Sequence, residues 1–179
     1  MAHPVSAAEL IRQLQLLPHP EGGHFRETYR SSLMLQTPWG PRSASTAIHY
    51  LLRAGEWSCW HRLRSDEAWH HHDGGSLLLY AINPDGNAQQ WRLGLDLTAG
   101  ERPQHVVPAG SWFAATPAPG SAWSLLSCTV APGFDFADFE VACETQLPGG
   151  GQAIEAICPH WRRFLAGFKG CSQVGSEPG

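Results

Sequence analysis

Lysine is the scarcest functional residue in this sequence: of 179 residues, only Lys169 is one. A Schiff-base mechanism therefore has almost nothing to draw on. Nor is there a Lys/Arg run from which to build a nucleic-acid surface, and the net charge is −4. Charged residues make up only 16% of the chain, yet no apolar run approaches the roughly 20 residues that a membrane-spanning helix needs. Met1–Glu9 lacks the basic and apolar stretches of a signal peptide. The cysteines (59, 128, 143, 158 and 171) form no C-x-x-C pair. They are expected to be reduced, scattered thiols in a cytoplasmic protein. With no G-x-S-x-G, P-loop or G-x-G-x-x-G, serine hydrolase, NTPase and dinucleotide-enzyme readings have no support.

Turn formers are abundant, with 19 glycines and 14 prolines. Together with the low charge they favour short strands and tight turns over a helical bundle. Ser6–Leu17 reads as an amphipathic helix: Ser6 and Glu9 have capping-box spacing, and Leu10, Ile11, Leu14 and Leu17 share a face. Gly22–Ser31 then reads as extended. Strands are expected at Ser45–Leu52, Trp57–Leu63, Glu67–His72, Ser76–Ile82 and Ala88–Leu95, then at His105–Val107, Trp112–Ala115, Trp123–Val130 and Phe136–Cys143. A short helix over Ala153–Leu165, interrupted at Pro159, closes a single domain spanning 1–169, and 170–179 is expected to be a disordered tail. Many short strands with regular turns mean a sandwich or a closed barrel.

The motifs choose between these. Gly55, His61, Glu67 and Gly74 fit the first cupin motif, G-x5-H-x-H-x3-E-x6-G, except that its second histidine is Leu63 here. Residues two apart on a strand project to the same side, so positions 61 and 63 both enter the barrel, and the glutamate arrives on the adjoining strand. The second cupin motif survives in part as Val107-Pro-Ala-Gly110, with Phe113 where its histidine would fall.

The chain resembles the domain-of-unknown-function family of the cupin superfamily that is related to nucleotide-sugar epimerases. The resemblance rests on Pro18-His-Pro-Glu-Gly-Gly-His-Phe-Arg-Glu-Thr-Tyr-Arg-Ser31, Ser45-Thr-Ala-Ile48, Trp60-His-Arg-Leu-Arg-Ser-Asp-Glu67, Leu93-Gly94 leading to Val107–Trp112, and Cys128–Phe136. It implies an all-β fold, the double-stranded β-helix or jelly-roll barrel, assembled as a homodimer. It carries no settled activity.

Metal-binding cupins present three histidines and a glutamate. The matching positions here read His61, Leu63, Glu67 and Phe113, two donors where a stable site needs about three. No metal and no cofactor is therefore expected. A weak divalent site at His61, Glu67 and His72 is the competing arrangement, since the run His70-His71-His72 could supply a replacement. Counting from Glu67 sends Trp69 and His71 inward, and a bulge would reverse that.

The expected function is binding of a small molecule inside the barrel, with metal-independent isomerase or epimerase chemistry on a sugar-like or hydroxyacid ligand. His61 is the expected base, Glu67 its orienting partner and Tyr29 a proton donor. Arg26, Glu27, Ser65, Trp69, His70, His72, Phe113 and Asp138 are the expected ligand-binding positions. Glu27 and Tyr29 share one face of their strand, Arg26 and Thr28 the other. Trp60, Trp69 and Trp112 are candidates to floor a ligand ring, and Asp135 or Asp138 could partner a histidine. The alternatives are a sensing or storage module without turnover and a metal-dependent oxygenase or isomerase. Neither nucleic acid nor a membrane is an expected partner.

Overall fold

The computed structural model describes residues 5–165. Ser6 caps α1 (Ala7–Gln13), its side chain accepting from the Glu9 amide at 3.2 Å. The helix stops short of the expected Leu17 because Gln15 takes a φ of +55°, and the chain enters a short strand, β1 (Leu17–Pro18). There follow β2 (His24–Arg30), β3 (Met34–Thr37), β4 (Gly40–Ser43), β5 (Thr46–Arg53), β6 (Ser58–Arg62) and β7 (Asp66–Gly74). The remaining strands are β8 (Leu77–Ile82), β9 (Ala88–Leu93), β10 (Gln104–Val107), β11 (Trp112–Pro117), β12 (Trp123–Ala131) and β13 (Glu140–Val141).

Strands β1-β2-β5-β12-β7-β10 make one antiparallel sheet and β13-β6-β11-β8-β9 the other, with β3–β4 as a separate hairpin. Residues of both sheets meet in a central core that includes Tyr50, Leu63, Trp69, Leu79, Phe113 and Leu126. Strand β12 shows why: Leu126, Cys128 and Val130 are buried on the inner side, while Leu125, Ser127 and Thr129 are half-buried on the outer one. This is the jelly-roll arrangement that the motifs implied.

A second core lies behind the five-stranded sheet. Trp60, Tyr80, Ile82 and Trp112 are covered there by Ile154, Trp161 and Phe164. Burying a large apolar side chain contributes about 1.5–3 kcal/mol, so this back core fastens the C-terminal segment firmly.

Three local expectations differ. Phe136–Cys143 is not one strand: the Asp135 side chain accepts from the Ala137 amide at 2.8 Å and turns the chain into a 3₁₀ segment before β13. Ala153–Leu165 contains only α2 (Gln152–Glu155) and a 3₁₀ turn at Trp161–Phe164, separated around Pro159. Cys59 is disulfide-bonded rather than a reduced thiol, whereas Cys128, Cys143 and Cys158 are free. The expected domain limit at 169 and tail at 170–179 lie outside the described residues. Among the described residues no helix is long and apolar enough to cross a membrane.

Candidate functional site

Between the sheets the core opens into a cavity of about 260 Å³, lined by residues of both sheets and of the two loops at their edge. His61 comes from β6 in one sheet and Glu67 from β7 in the other, so the two groups enter from opposite sides. Strand parity aims both inward, and both are buried, at 2% and 7% exposure.

Two further groups come from the turn between β1 and β2. The His19 amide donates to the Gly23 carbonyl at 3.0 Å and the Gly22 amide to the His19 carbonyl at 3.0 Å. The Tyr50 hydroxyl donates to the Gly22 carbonyl at 2.7 Å, and the Cys59 amide to the Glu21 carbonyl at 2.8 Å. Only glycine fits at position 22: its φ is +114°, and a Cβ would lie 2.1 Å from the Trp57 carbonyl oxygen. This tight turn presses His19 and Glu21 into the barrel, where both are buried and line the cavity.

The hydrogen bonds fix proton positions. His61 Nδ1 is 2.7 Å from the Cys59 carbonyl, which can only accept, so Nδ1 carries the proton and Nε2 presents a lone pair. Glu21 Oε2 lies 3.2 Å from that Nε2. Burial, opposed by the Cys59 carbonyl, lowers the His61 pKa to about 4, so its imidazole is neutral near pH 7. Burial and then the nearby Glu67 charge push Glu21 well above the carboxylate range. A protonated Glu21 donating to a neutral His61 satisfies both atoms. His19 accepts the Glu21 amide at Nδ1 at 3.2 Å, and burial, reinforced by His61, lowers its pKa to about 3.

Glu67 enters the same cavity from β7, in the sheet opposite the one that carries His61. Burial raises its pKa to about 7, although the Cys128 thiol and the Trp69 indole lower it. Its Oε2 is buried without a hydrogen-bond partner. A carboxyl poised near neutrality beside a cavity is the arrangement that general acid–base chemistry requires.

Two expected roles change at this point. Glu67 does not orient His61; the Cys59 carbonyl does, with Glu21 on the other ring nitrogen. With its pKa near 4, His61 is also a weaker base than Glu67. Tyr29 is not at the site. Between Glu27 and Tyr29 the β2–β5 register slips, with Glu27 opposite Ile48 and Tyr29 opposite Ala47. That bulge turns Tyr29 outward, to 55% exposure, and brings Arg30 in beside Glu27 at the cavity mouth. Arg30 donates to both Glu27 carboxylate oxygens, at 3.0 and 2.7 Å, and to the Phe134 carbonyl at 3.1 Å.

Of the expected ligand-binding positions, only Glu27 lines the cavity. Arg26 points the other way, to Gln15 and the Leu14 carbonyl. Ser65 is buried outside the lining. Trp69 and Phe113 are core side chains whose rings meet edge to face. The Phe113 ring, at the motif's histidine position, packs 4.0 Å from that of His61. His70 and His72 lie on the outer sheet face beside Thr129 and Ser127, while His71 is buried with Nε2 3.0 Å from the Gly75 carbonyl. Asp138 is held by Arg42 at 2.7 and 2.8 Å, whereas Asp135 lines the mouth. Trp60 and Trp112 belong to the back core.

The donor set does not fit the cupin metal. Leu63 and Phe113 are apolar, and His72 is on the opposite face from Glu67, which removes the competing His61/Glu67/His72 arrangement. No group of three or more His, Cys, Asp or Glu side chains among the described residues is placed to hold a metal ion.

Residues 8–142 match the family model described as Cupin superfamily (DUF985). The yeast Saccharomyces cerevisiae has an uncharacterized protein, YML079W, 32% identical over 177 residues, covering 91% of this chain and 86% of that protein. The crystal structure of protein SO0799 from Shewanella oneidensis superposes with a TM-score of 0.78 at 38% identity, covering 90% of this chain and 98% of that one. A hypothetical protein from Leishmania major gives a TM-score of 0.77 at 32% identity, over 90% and 97% of the two chains. The turn carrying His19 and Glu21, the His61/Glu67 pair and the jelly-roll barrel thus sit within a chain that belongs to the DUF985 family of the cupin superfamily.

Proposed function

We propose that this cavity binds a small molecule and moves protons on it without a metal, as an isomerase or epimerase does. The observation that carries the reading is that Glu67, from one sheet, and His61, from the other, line one cavity, with Glu21 of the β1–β2 turn beside the His61 ring. A group that removes a proton from one side of a carbon and a group that returns one from the other is what epimerisation needs. Glu67, with its pKa near the working pH, takes the proton as carboxylate. Glu21 holds one as acid, with the His61 lone pair beside it to receive or relay it. The apolar walls exclude water and strengthen each of these interactions.

At about 260 Å³ the cavity lies just below the roughly 300–1,000 Å³ range of drug-sized sites, so its ligand is small. A sugar-like ligand fits its chemistry better than a hydroxyacid: Arg30, the one lining cation among the described residues, is engaged by Glu27 and Phe134. A resemblance to nucleotide-sugar epimerases, suggested by the sequence motifs alone, would support the reaction class by fold analogy only. A homodimer, which the resemblance implies, would cover the exposed Leu33 and Met34 of the hairpin arm.

Small aldoses and ketoses incubated with the protein in D2O test the reading by NMR. Deuterium should enter at a carbon next to a carbonyl, and Glu67→Gln should slow this by roughly 10²–10⁴-fold. A ligand that binds in the cavity without any exchange would make the protein a sensing or storage module instead.

A further inference from the structure

The cavity's charge pattern points to a substrate class. Four carboxyls line it: Glu21 and Glu67 at the floor, Glu27 and Asp135 at the mouth. Against them stands one lining cation among the described residues, Arg30, whose Nε and Nη2 bind Glu27 and whose Nη1 binds the Phe134 carbonyl. An anionic ligand would meet like charge at both ends and find no guanidinium group left to receive it.

The floor is also short of donors. Glu67 Oε2 is an acceptor buried without a partner, although the residue is only 7% exposed and lines the cavity. The His61 Nε2 lone pair is already taken up by Glu21, 3.2 Å away, which leaves Glu67 as the open acceptor. A buried acceptor left unpaired costs about 1–3 kcal/mol, more if charged, so a ligand bringing a charged donor gains most there. The walls contribute Phe25, Phe134, Phe136 and Phe139, and the last three pack edge to face with ring centroids 5.0–6.2 Å apart. Aromatic rings attract organic cations and stack on none of their counter-anions as well.

We propose that the ligand of this cavity carries a protonated amine, seated with its N–H groups on Glu67 and its carbon frame among the phenylalanine rings. This rests on the reading that the cavity is the ligand site, and it narrows the sugar-like class to amine-bearing members. The ammonium supplies the positive charge that the lining lacks and the donor that Glu67 Oε2 can accept. Glu67 thereby acts as the specificity-determining residue.

Three probes of matched size, benzylamine, benzyl alcohol and benzoate, test this by calorimetric titration of the full chain at millimolar concentration. Benzylamine should bind at least roughly tenfold tighter than benzyl alcohol, and benzoate should not bind. Glu67→Gln should weaken benzylamine roughly tenfold or more while leaving benzyl alcohol within about twofold, which also shows that the variant is folded. Glu27→Gln, at the half-exposed mouth, should weaken benzylamine by only about two- to threefold. Benzoate binding as well as benzylamine, benzylamine unaffected by Glu67→Gln, or no benzylamine binding at all would each overturn the proposal. These titrations read affinity alone. A failed amine preference is therefore distinct from absent deuterium exchange, which would sink the proton-transfer reading.

Discussion

The two interiors of this barrel are built to different rules. In the back core the two central indoles are matched, the Trp60 indole donating to the Trp161 carbonyl at 3.1 Å and the Trp161 indole to Glu155 at 3.1 Å, while Trp57 Nε1 at its edge is not. In the cavity, Glu67 Oε2 is buried without a hydrogen-bond partner, and two neighbouring carboxyls, Glu21 and Glu67, have raised pKa values. Carboxyls held far above their ordinary pKa are costly and gather at functional sites. The difference teaches that stability resides in the back core and chemistry in the cavity.

The comparison breaks most visibly in the back core. Trp161→Ala should cost about 3–5 kcal/mol in a urea unfolding curve, because the indole is completely buried against Trp60 and Ile154. A loss below about 1 kcal/mol would mean that the C-terminal segment is not fastened as described.

Glu67→Gln sharpens the contrast from the cavity side. Glu67 has a raised pKa in the fold, so the stability linked to its protonation is complete below the ordinary value of 4.5 and is lost as pH rises through about 7. The glutamine variant does not titrate, so its stability relative to the native protein should rise between pH 4.5 and 8, by roughly 1–3 kcal/mol. His19 and His61 work in the other direction: their lowered pKa values give stability that is lost as pH falls towards about 3 and about 4 respectively. Both proteins share that loss, so it cancels in the difference. A flat difference between the two proteins across this range would contradict the buried, uncompensated carboxyl.

The smallest effect belongs to the outer face. His72→Ala removes a contact to Ser127 on the solvent side of β7 and should change stability by less than about 0.5 kcal/mol. It should also leave deuterium exchange untouched. A large loss of exchange would place the histidine run at the site after all.

Much of this was legible in the residues. The G-x5-H…E-x6-G spacing brought His61 and Glu67 into the barrel, and the count from Glu67 that sent Trp69 and His71 inward agrees with the structure, but the expectation that His70 and His72 bind ligand went against that count and is not met. Tyr29 was misplaced because a single-residue bulge at Thr28 inverts the parity of everything after it, and bulges leave no reliable signature in the side chains. His19 and Glu21 went unassigned because their inward aim comes from a turn rather than a strand period. The signal was present in the two glycines that follow Glu21, which force a turn tight enough to thread beneath Trp57. The hairpin β3–β4 and the true extent of the C-terminal helix depend on tertiary packing that local pattern does not encode.

The central claim, that a carboxyl poised near neutrality sits in this cavity, is tested most directly by following the side-chain carboxyl carbons of ¹³C-glutamate-labelled protein by NMR through a pH titration. One glutamate resonance should titrate near pH 7 and be missing in Glu67→Gln. If every glutamate that titrates does so near the ordinary carboxylate value, about 4.3, the acid–base site described for this barrel does not exist.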